Sequence, residues 1–160
     1  MTTAHKSLVE ESSRERWLPL LELAMREVFE IMLGAKLESS DAERPLPLEC
    51  TAMVGLAGPL CGVFTFRCDA EAAALIAGKM LGAPAGASDE QALDAIGEVC
   101  NMIAGNFKSK VSGLSESCVL SAPTVVVGGD YRVHSLAGRS VAMVMLLEGS
   151  PVSAALELRR

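Results

Sequence analysis

Aromatic side chains are scarce. One Trp, one Tyr and four Phe make up only 4% of 160 residues, while half of the chain is hydrophobic. A core built from rings is ruled out, so the interior has to come from Val, Leu, Ile, Ala and Met. Histidine is nearly absent. His5 lies in a polar N-terminal stretch, and His134 stands between Val133 and Ser135 in a strand-like pattern. Neither has a metal-binding or triad partner in view, which argues against a hydrolase with its own activated nucleophile. The five cysteines (Cys50, Cys61, Cys68, Cys100 and Cys118) are odd in number and form no CxxC. That argues against a disulfide framework or a zinc site and leaves small hydrophobes in a reduced compartment. Positive charge is also short. The net charge is −6 and no Lys/Arg cluster exists, so sequence-independent nucleic-acid binding lacks the basic face it needs. The longest greasy stretch, Val141 to Leu158, is broken by Glu148, Gly149 and Pro151. It reads as a hairpin, not a membrane span. The N-terminus lacks the apolar run of a signal peptide. The segment Leu81-Gly-Ala-Pro-Ala-Gly86 lacks the lysine of a phosphate loop. The expectation is a cytoplasmic protein.

What is present suffices for one domain. Residues 1–14 are polar and read as a flexible tail, with the domain over 15–160. Helical spacing predicts a first helix from about Arg16 to Lys36, burying Trp17, Leu20, Leu21, Ala24, Val28, Ile31 and Met32. Ser39 to Pro47 is a polar loop. Strands are expected over about Glu49–Leu56 and Cys61–Arg67, turned by Gly58-Pro59. A second helix, Ala70 to Leu81, has Asp69 as N-cap and Gly82 as stop. A third helix starts at Ser88, with Gln91 completing a capping box, and reaches Val111. Strands over about Ser117–Val127, Tyr131–Leu136, Ser140–Leu147 and Val152–Leu158 close the chain. Met143 and Met145 alternate with Val144 and Leu146, which reads as a strand buried on both faces. The order predicts an α+β fold: a mixed or antiparallel β-sheet backed by long helices.

The third helix carries the chemistry. At about 100° per residue, Asp94, Glu98, Asn101, Gly105 and Lys108 fall within about 40° of one line, and Ala92, Ile96, Val99, Ile103 and Phe107 lie opposite. Asn and Gly are poor choices for a helix interior that faces only water. The stripe is either a solvated face or a docking surface. An Asn amide can hold a water by its carbonyl and steady an anion by its NH₂, but it cannot act as a base. It suits hydrolysis of an electrophile that is already activated, where orienting the water is most of the task. A Glu one turn earlier could grip a partner's lysine, with Gly105 keeping the surface flat. Asp94 bonds to neighbours or is simply solvated. Lys108 extends the stripe toward an acidic partner or is solvated, and Pro123 breaks a strand beside the helix. The stretch Glu27-Val-Phe-Glu30-Ile-Met-Leu-Gly34 echoes Glu98-Val-Cys-Asn101-Met-Ile-Ala-Gly105. It marks either pseudo-duplicated helix–strand–strand units or a short coincidence. If it is a duplication, the first copy has Leu23 at the position of Asp94 and Glu30 at that of Asn101.

Asp94-x3-Glu98-x2-Asn101 with the downstream Pro123 resembles the signature of the CheC/CheX/FliY chemotaxis phosphatases. GEVCNMIAGNFKS, TAMVGLAGPLCGVFTFRC and the helix ending Ala-Gly-Lys-Met-Leu-Gly82 look most like the CheX branch, so residues 15–160 read as one CheX-like domain. The resemblance implies a pseudo-symmetric sheet backed by long helices, and hydrolysis of the aspartyl phosphate on a CheY-like response regulator. Glu98 would engage a regulator lysine and Asn101 would place the hydrolytic water, with Asp94, Gly105 and Pro123 in support. No cofactor or metal is implied on this chain, the Mg²⁺ belonging to the regulator. A homodimer with one site per chain is also implied. A non-catalytic adaptor using the same helix face is the alternative.

Overall fold

A computed structural model describes residues 3–40, 49–59, 61–84, 89–111, 117–133 and 139–159, with backbone alone for 3–14 and 139. Among the described residues, three helices, α1 (Thr3–Leu33), α2 (Ala70–Leu81) and α3 (Glu90–Lys110), accompany seven strands. The strands are β1 (Glu38–Ser39), β2 (Cys50–Ala57), β3 (Gly62–Cys68), β4 (Val119–Leu120), β5 (Thr124–Val127), β6 (Arg139–Leu147) and β7 (Ser150–Leu158). They form one sheet in the order β1-β6-β7-β3-β2-β4, with β5 also on β2, and every pairing is antiparallel. The α+β expectation holds, with the sheet fully antiparallel.

Alternation sets the core. Cys50, Ala52, Val54 and Leu56 of β2 are buried together with Phe64, Phe66 and Cys68 of β3 and Val152, Ala154, Leu156 and Leu158 of β7. These side chains share one face of the pleat and form one cluster with the inward stripes of all three helices. Residues between them fall on the other face, which is only partly covered. Val144 and Leu146 are half-buried there and Ala142 is exposed, so β6 is not buried on both faces as its composition predicts. Antiparallel sheets tolerate one open face, and aliphatic content alone does not reveal it.

Local signals acted as expected where they were strong. Asp69 accepts a hydrogen bond from the Ala72 N–H at 2.7 Å, and Gly82 takes the left-handed conformation after α2. Other expectations need correction. The first helix starts at Thr3, not near Arg16, and runs through Pro19. Ile31 and Met32 are exposed, while Met25, Phe29 and Leu33 are buried in their place. Helix α3 takes Asp89 as N-cap with no side-chain cap bond. The capping-box residue Ser88 lies outside the described residues, and Gln91 is exposed. The segment 131–133 is not strand, and 134–136 lie outside the described residues. The last hairpin turns on two residues, Glu148 and Gly149, both with positive φ, so Ser150 and Pro151 belong to β7.

The duplication is built into the sheet. β7 and β3 meet at the centre, flanked by β6 and β2. β1 from the first half pairs with β6, while β4 and β5 from the second half pair with β2. Each half lends its outer strand to the other. The helices agree at six matched positions of their inward faces. Leu21 and Ala92, Ala24 and Ala95, Met25 and Ile96, Val28 and Val99, Phe29 and Cys100, and Leu33 and Ala104 are all buried.

Between the two long helices, Lys110 Nζ and Asn106 Nδ2 each reach Glu27 Oε2 at 2.8 Å. Lys110 first, and Asn106 second, hold the Glu27 carboxyl below the usual carboxylate range. A carboxyl depressed in the folded state stabilises fully above its unfolded pKa of about 4.3 and stops doing so as pH falls through the lower folded value. Urea unfolding followed from neutral pH down into that acid window is expected to show a loss of stability that Glu27→Gln reduces. An identical pH profile for the two proteins would show that this contact carries none of the acid response.

Candidate functional site

Helix α3 lies with Ile96, Val99, Cys100, Ile103, Ala104 and Phe107 in the core. The opposite stripe is displayed outward, as the spacing required. Asp94 and Glu98 are exposed, and Asn101, Gly105 and Lys108 are half-buried. Among the described residues, Asp94, Glu98 and Asn101 make no side-chain hydrogen bond or ion pair. Asp94 is exposed one turn before Glu98. The carboxylate of Glu98 and the amide of Asn101 stand one turn apart with their capacity open to a partner.

The wall beside them is the link between β4 and β5. Leu56 faces Leu120 and Ala57 faces Val119, but Met53 faces Thr124. Three residues, 121–123, therefore oppose only Val54 and Gly55 of β2. This is the geometry of a β-bulge. Ser121 fixes it: its N–H donates to Gly55 O at 2.9 Å, and its hydroxyl accepts from Gly55 N–H at 2.8 Å and donates to Ala122 O at 2.9 Å. Pro123 closes the bulge without needing a ladder N–H. The expected single strand over 117–127 is divided here for that reason.

Gly97 shows why the helix carries glycine at this point. A methyl group there would meet Val125 Cγ2 at 3.2 Å and Pro123 Cγ at 3.3 Å. At Gly105 it would meet only Leu120 Cδ1, at 3.9 Å, which is ordinary contact. Gly97, Asn101 and Gly105 are spaced four apart and form one ridge, so the link passes beside Asn101 with Leu120 at one end and Pro123 at the other. Pro123 has a packing role against α3. Ser121 was missed by sequence reasoning, and a lone Ser in a strand gives no signal of a bulge.

The first half differs at the matching positions. Arg26 stands where the second half has Gly97. It donates to Leu37 O at 2.6 Å and to Ser39 Oγ at 3.1 Å, and it pairs with Glu22 at 3.0 Å. Glu27, the counterpart of Glu98, is engaged by Lys110 and Asn106. The first copy holds β1 through Arg26 and has its Glu27 engaged, although Glu30, at the Asn101 position, is exposed; among the described residues the second copy alone leaves both members of the Glu/Asn pair open. Among the described residues, no group of three or more His, Cys, Asp or Glu side chains is placed to hold a metal ion. No described helix is long and apolar enough to cross a membrane.

Comparison with known proteins gives the site a context. The family model for chemotaxis phosphatase CheX matches residues 50–146, which include Glu98, Asn101 and Pro123. A CheY-P phosphatase CheX from Thermotoga maritima is 32% identical over 91 residues, 56% of this chain and 59% of that relative. The match therefore spans somewhat over half of the relative's length. A CheX from Vibrio vulnificus superposes with a TM-score of 0.77 at 19% identity, covering 91% of this chain and 98% of that one. The CheX–CheY–BeF3–Mg complex from Borrelia burgdorferi gives 0.77 at 20% identity, covering 90% and 98%. At such identities these two structures establish a shared fold.

Proposed function

The chain belongs to the CheX family of chemotaxis phosphatases, and on that premise we propose that it hydrolyses the aspartyl phosphate of a CheY-like receiver domain. The observation that carries this reading is the outward, unpartnered Glu98 and Asn101 pair on a helix locked in place from behind. Glu98 takes a lysine of the regulator as a charge-assisted hydrogen bond. Asn101 accepts a hydrogen bond from a water through its carbonyl and holds it in line with the phosphoryl group. The water's oxygen bonds to phosphorus as the bond to the aspartyl oxygen breaks, the aspartate leaves as its carboxylate, and inorganic phosphate keeps both of the water's protons. The Mg²⁺ would sit with the regulator, where it would neutralise the charge spread over the phosphoryl oxygens. This chain supplies position and a dipole. A carboxamide suffices because the acyl phosphate is already reactive.

The test is loss of phosphate from a phosphorylated receiver domain, with and without catalytic amounts of this chain. Turnover supports the enzyme. Stoichiometric complex formation with an unchanged phosphate lifetime would instead support an adaptor that uses the same face.

Gly105 offers a second check. A helix-interior Gly costs roughly 1 kcal/mol relative to Ala, and among the described residues a methyl group at this position makes only ordinary contact with Leu120. Gly105→Ala is expected to raise stability in chemical denaturation by roughly 0.5–1 kcal/mol while weakening capture of the phosphorylated receiver. A more stable variant with unchanged affinity would remove Gly105 from the docking surface.

A homodimer belongs to the same reading. Among the described residues, β6 carries β1 on its outer side only over Met145 and Leu146, which leaves Ser140–Val144 as an edge for a second copy. Light scattering should return twice the chain mass, and a monomer at all accessible concentrations would refute it.

A further inference from the structure

Two of the cysteines are brought together by the sheet. Cys50 begins β2 and Cys68 ends β3, and they are direct partners in the antiparallel register. Both point to the core face and both are buried. Directly opposed residues place their Cβ atoms about 4.5–5.5 Å apart, and a disulfide needs about 3.5–4.5 Å. The gap is about 1 Å, and it lies at the end of the ladder, where strands yield most easily.

One member of the pair lines a cleft at the start of α2. Cys50 lies there with Glu49, Ala70, Ala73, Val127, Gly128 and Gly129, and Cys50 itself is buried. Glu49 frames the opening. Its carboxylate accepts from the Ala70 N–H, and its carbonyl accepts from the Gly128 N–H at 3.0 Å. A peroxide, little larger than water, fits an opening of this kind.

We propose that Cys50 and Cys68 form an oxidisable dithiol, a modification site at which a peroxide closes a cross-strand disulfide. Cys50 is the attacking sulfur, because it is the one at the cleft. A hydrogen bond between the two thiols holds the Cys50 thiol below its ordinary range against the opposing effect of burial. Cys68 is pushed up by the same hydrogen bond and by burial. The Cys50 sulfur bonds to one peroxide oxygen as the O–O bond breaks, and the departing hydroxide takes the thiol proton to give water and a sulfenic acid. Cys68 then attacks that sulfur. The S–S bond forms, the S–O bond breaks, and a second water leaves with the Cys68 proton. Two thiols are oxidised by two electrons, and one hydrogen peroxide is reduced to two waters.

Cys100 is the internal control. Its thiol donates to Phe64 O at 4.0 Å and burial pushes it up to about 12. It lies on α3, outside the strand register that opposes Cys50 to Cys68, and should stay reduced.

The experiment uses the full chain carrying Cys61→Ser, which removes the exposed thiol. Reduced protein is treated with graded hydrogen peroxide, quenched, unfolded in alkylating reagent and mapped by mass spectrometry. Titratable thiols should fall from four to two, with a loss of about 2 Da assigned to the peptides holding Cys50 and Cys68 and reversed by dithiothreitol. Full alkylation of both residues, at a peroxide dose that consumes Cys61 in the unsubstituted protein, would overturn the proposal. So would oxidation of Cys50 alone to a sulfinic acid with Cys68 untouched. The unsubstituted chain mapped in the same way must show the same Cys50–Cys68 bridge, so the result does not depend on how well the variant folds.

Discussion

Asn101→Ala is expected to slow dephosphorylation of the receiver domain about 100-fold or more, a barrier increase of about 2.7 kcal/mol. Removing a preorganised dipole that acts only at the reacting centre costs this much where water is otherwise excluded. The same change should leave capture of the regulator largely intact, because Glu98, Gly105 and the wall at 121–123 remain. The fold should not suffer either. The Asn101 side chain makes no hydrogen bond among the described residues, and Ala is the better helix former. Single-turnover phosphate release at saturating Asn101→Ala chain separates chemistry from binding. Glu98→Ala provides the contrast, since losing the grip on the regulator's lysine should weaken both capture and turnover. An Asn101→Ala chain that accelerates phosphate loss as well as the unsubstituted protein would remove the catalytic assignment.

The stripe was legible in the sequence because helix geometry is periodic. Once residues 90–110 were read as helix, the side on which Glu98 and Asn101 stand followed from rotation alone. Helix α2 was legible for a similar reason, since Asp69 and Gly82 act within a few residues of themselves. The apolar faces of β2, β3 and β7 also followed from alternation. What failed was anything set by a distant partner. Ile31 and Met32 fit the apolar period of α1, but the core takes Phe29 and Leu33 from the same end of the helix and leaves these two exposed. The start of α1 also lay earlier than the expected Arg16, the helix running through Pro19 from Thr3. The bulge at 121–123 depends on a serine meeting the backbone of Gly55, 66 residues away, and no local pattern encodes that. Gly97 meets Pro123 and Val125, which only the register of β5 reveals. The helix echo pointed to a duplication. The exchange of outer strands between halves was invisible, because it is a property of pairing and not of either segment.

Phe107→Ala is expected to cost about 3–5 kcal/mol of folding stability, a large part of what a domain of this size possesses. Phe107 is buried on the inward side of α3, two residues past Gly105, and meets Trp17 of α1 edge-on with ring centroids 6.4 Å apart and planes at 85°. That aromatic contact adds about 0.5–1.5 kcal/mol to the transfer of the ring itself. With one Trp, one Tyr and four Phe in the chain, few large side chains are available to fill the space, so the cavity persists and adds its own cost. The thermal midpoint should fall by roughly 10 °C. At low temperature, activity per folded molecule should stay within a few-fold of the original, because the stripe is displayed by the remaining inward residues of α3 and by the Glu27 contact with Asn106 and Lys110. The two substitutions thus separate two properties of one helix. One side fixes where α3 lies, and the other acts on a partner. A Phe107→Ala protein that loses less than about 1 kcal/mol would mean that α3 is not seated through this ring. A Phe107→Ala protein that keeps its stability but loses turnover would place the ring itself in the docking event.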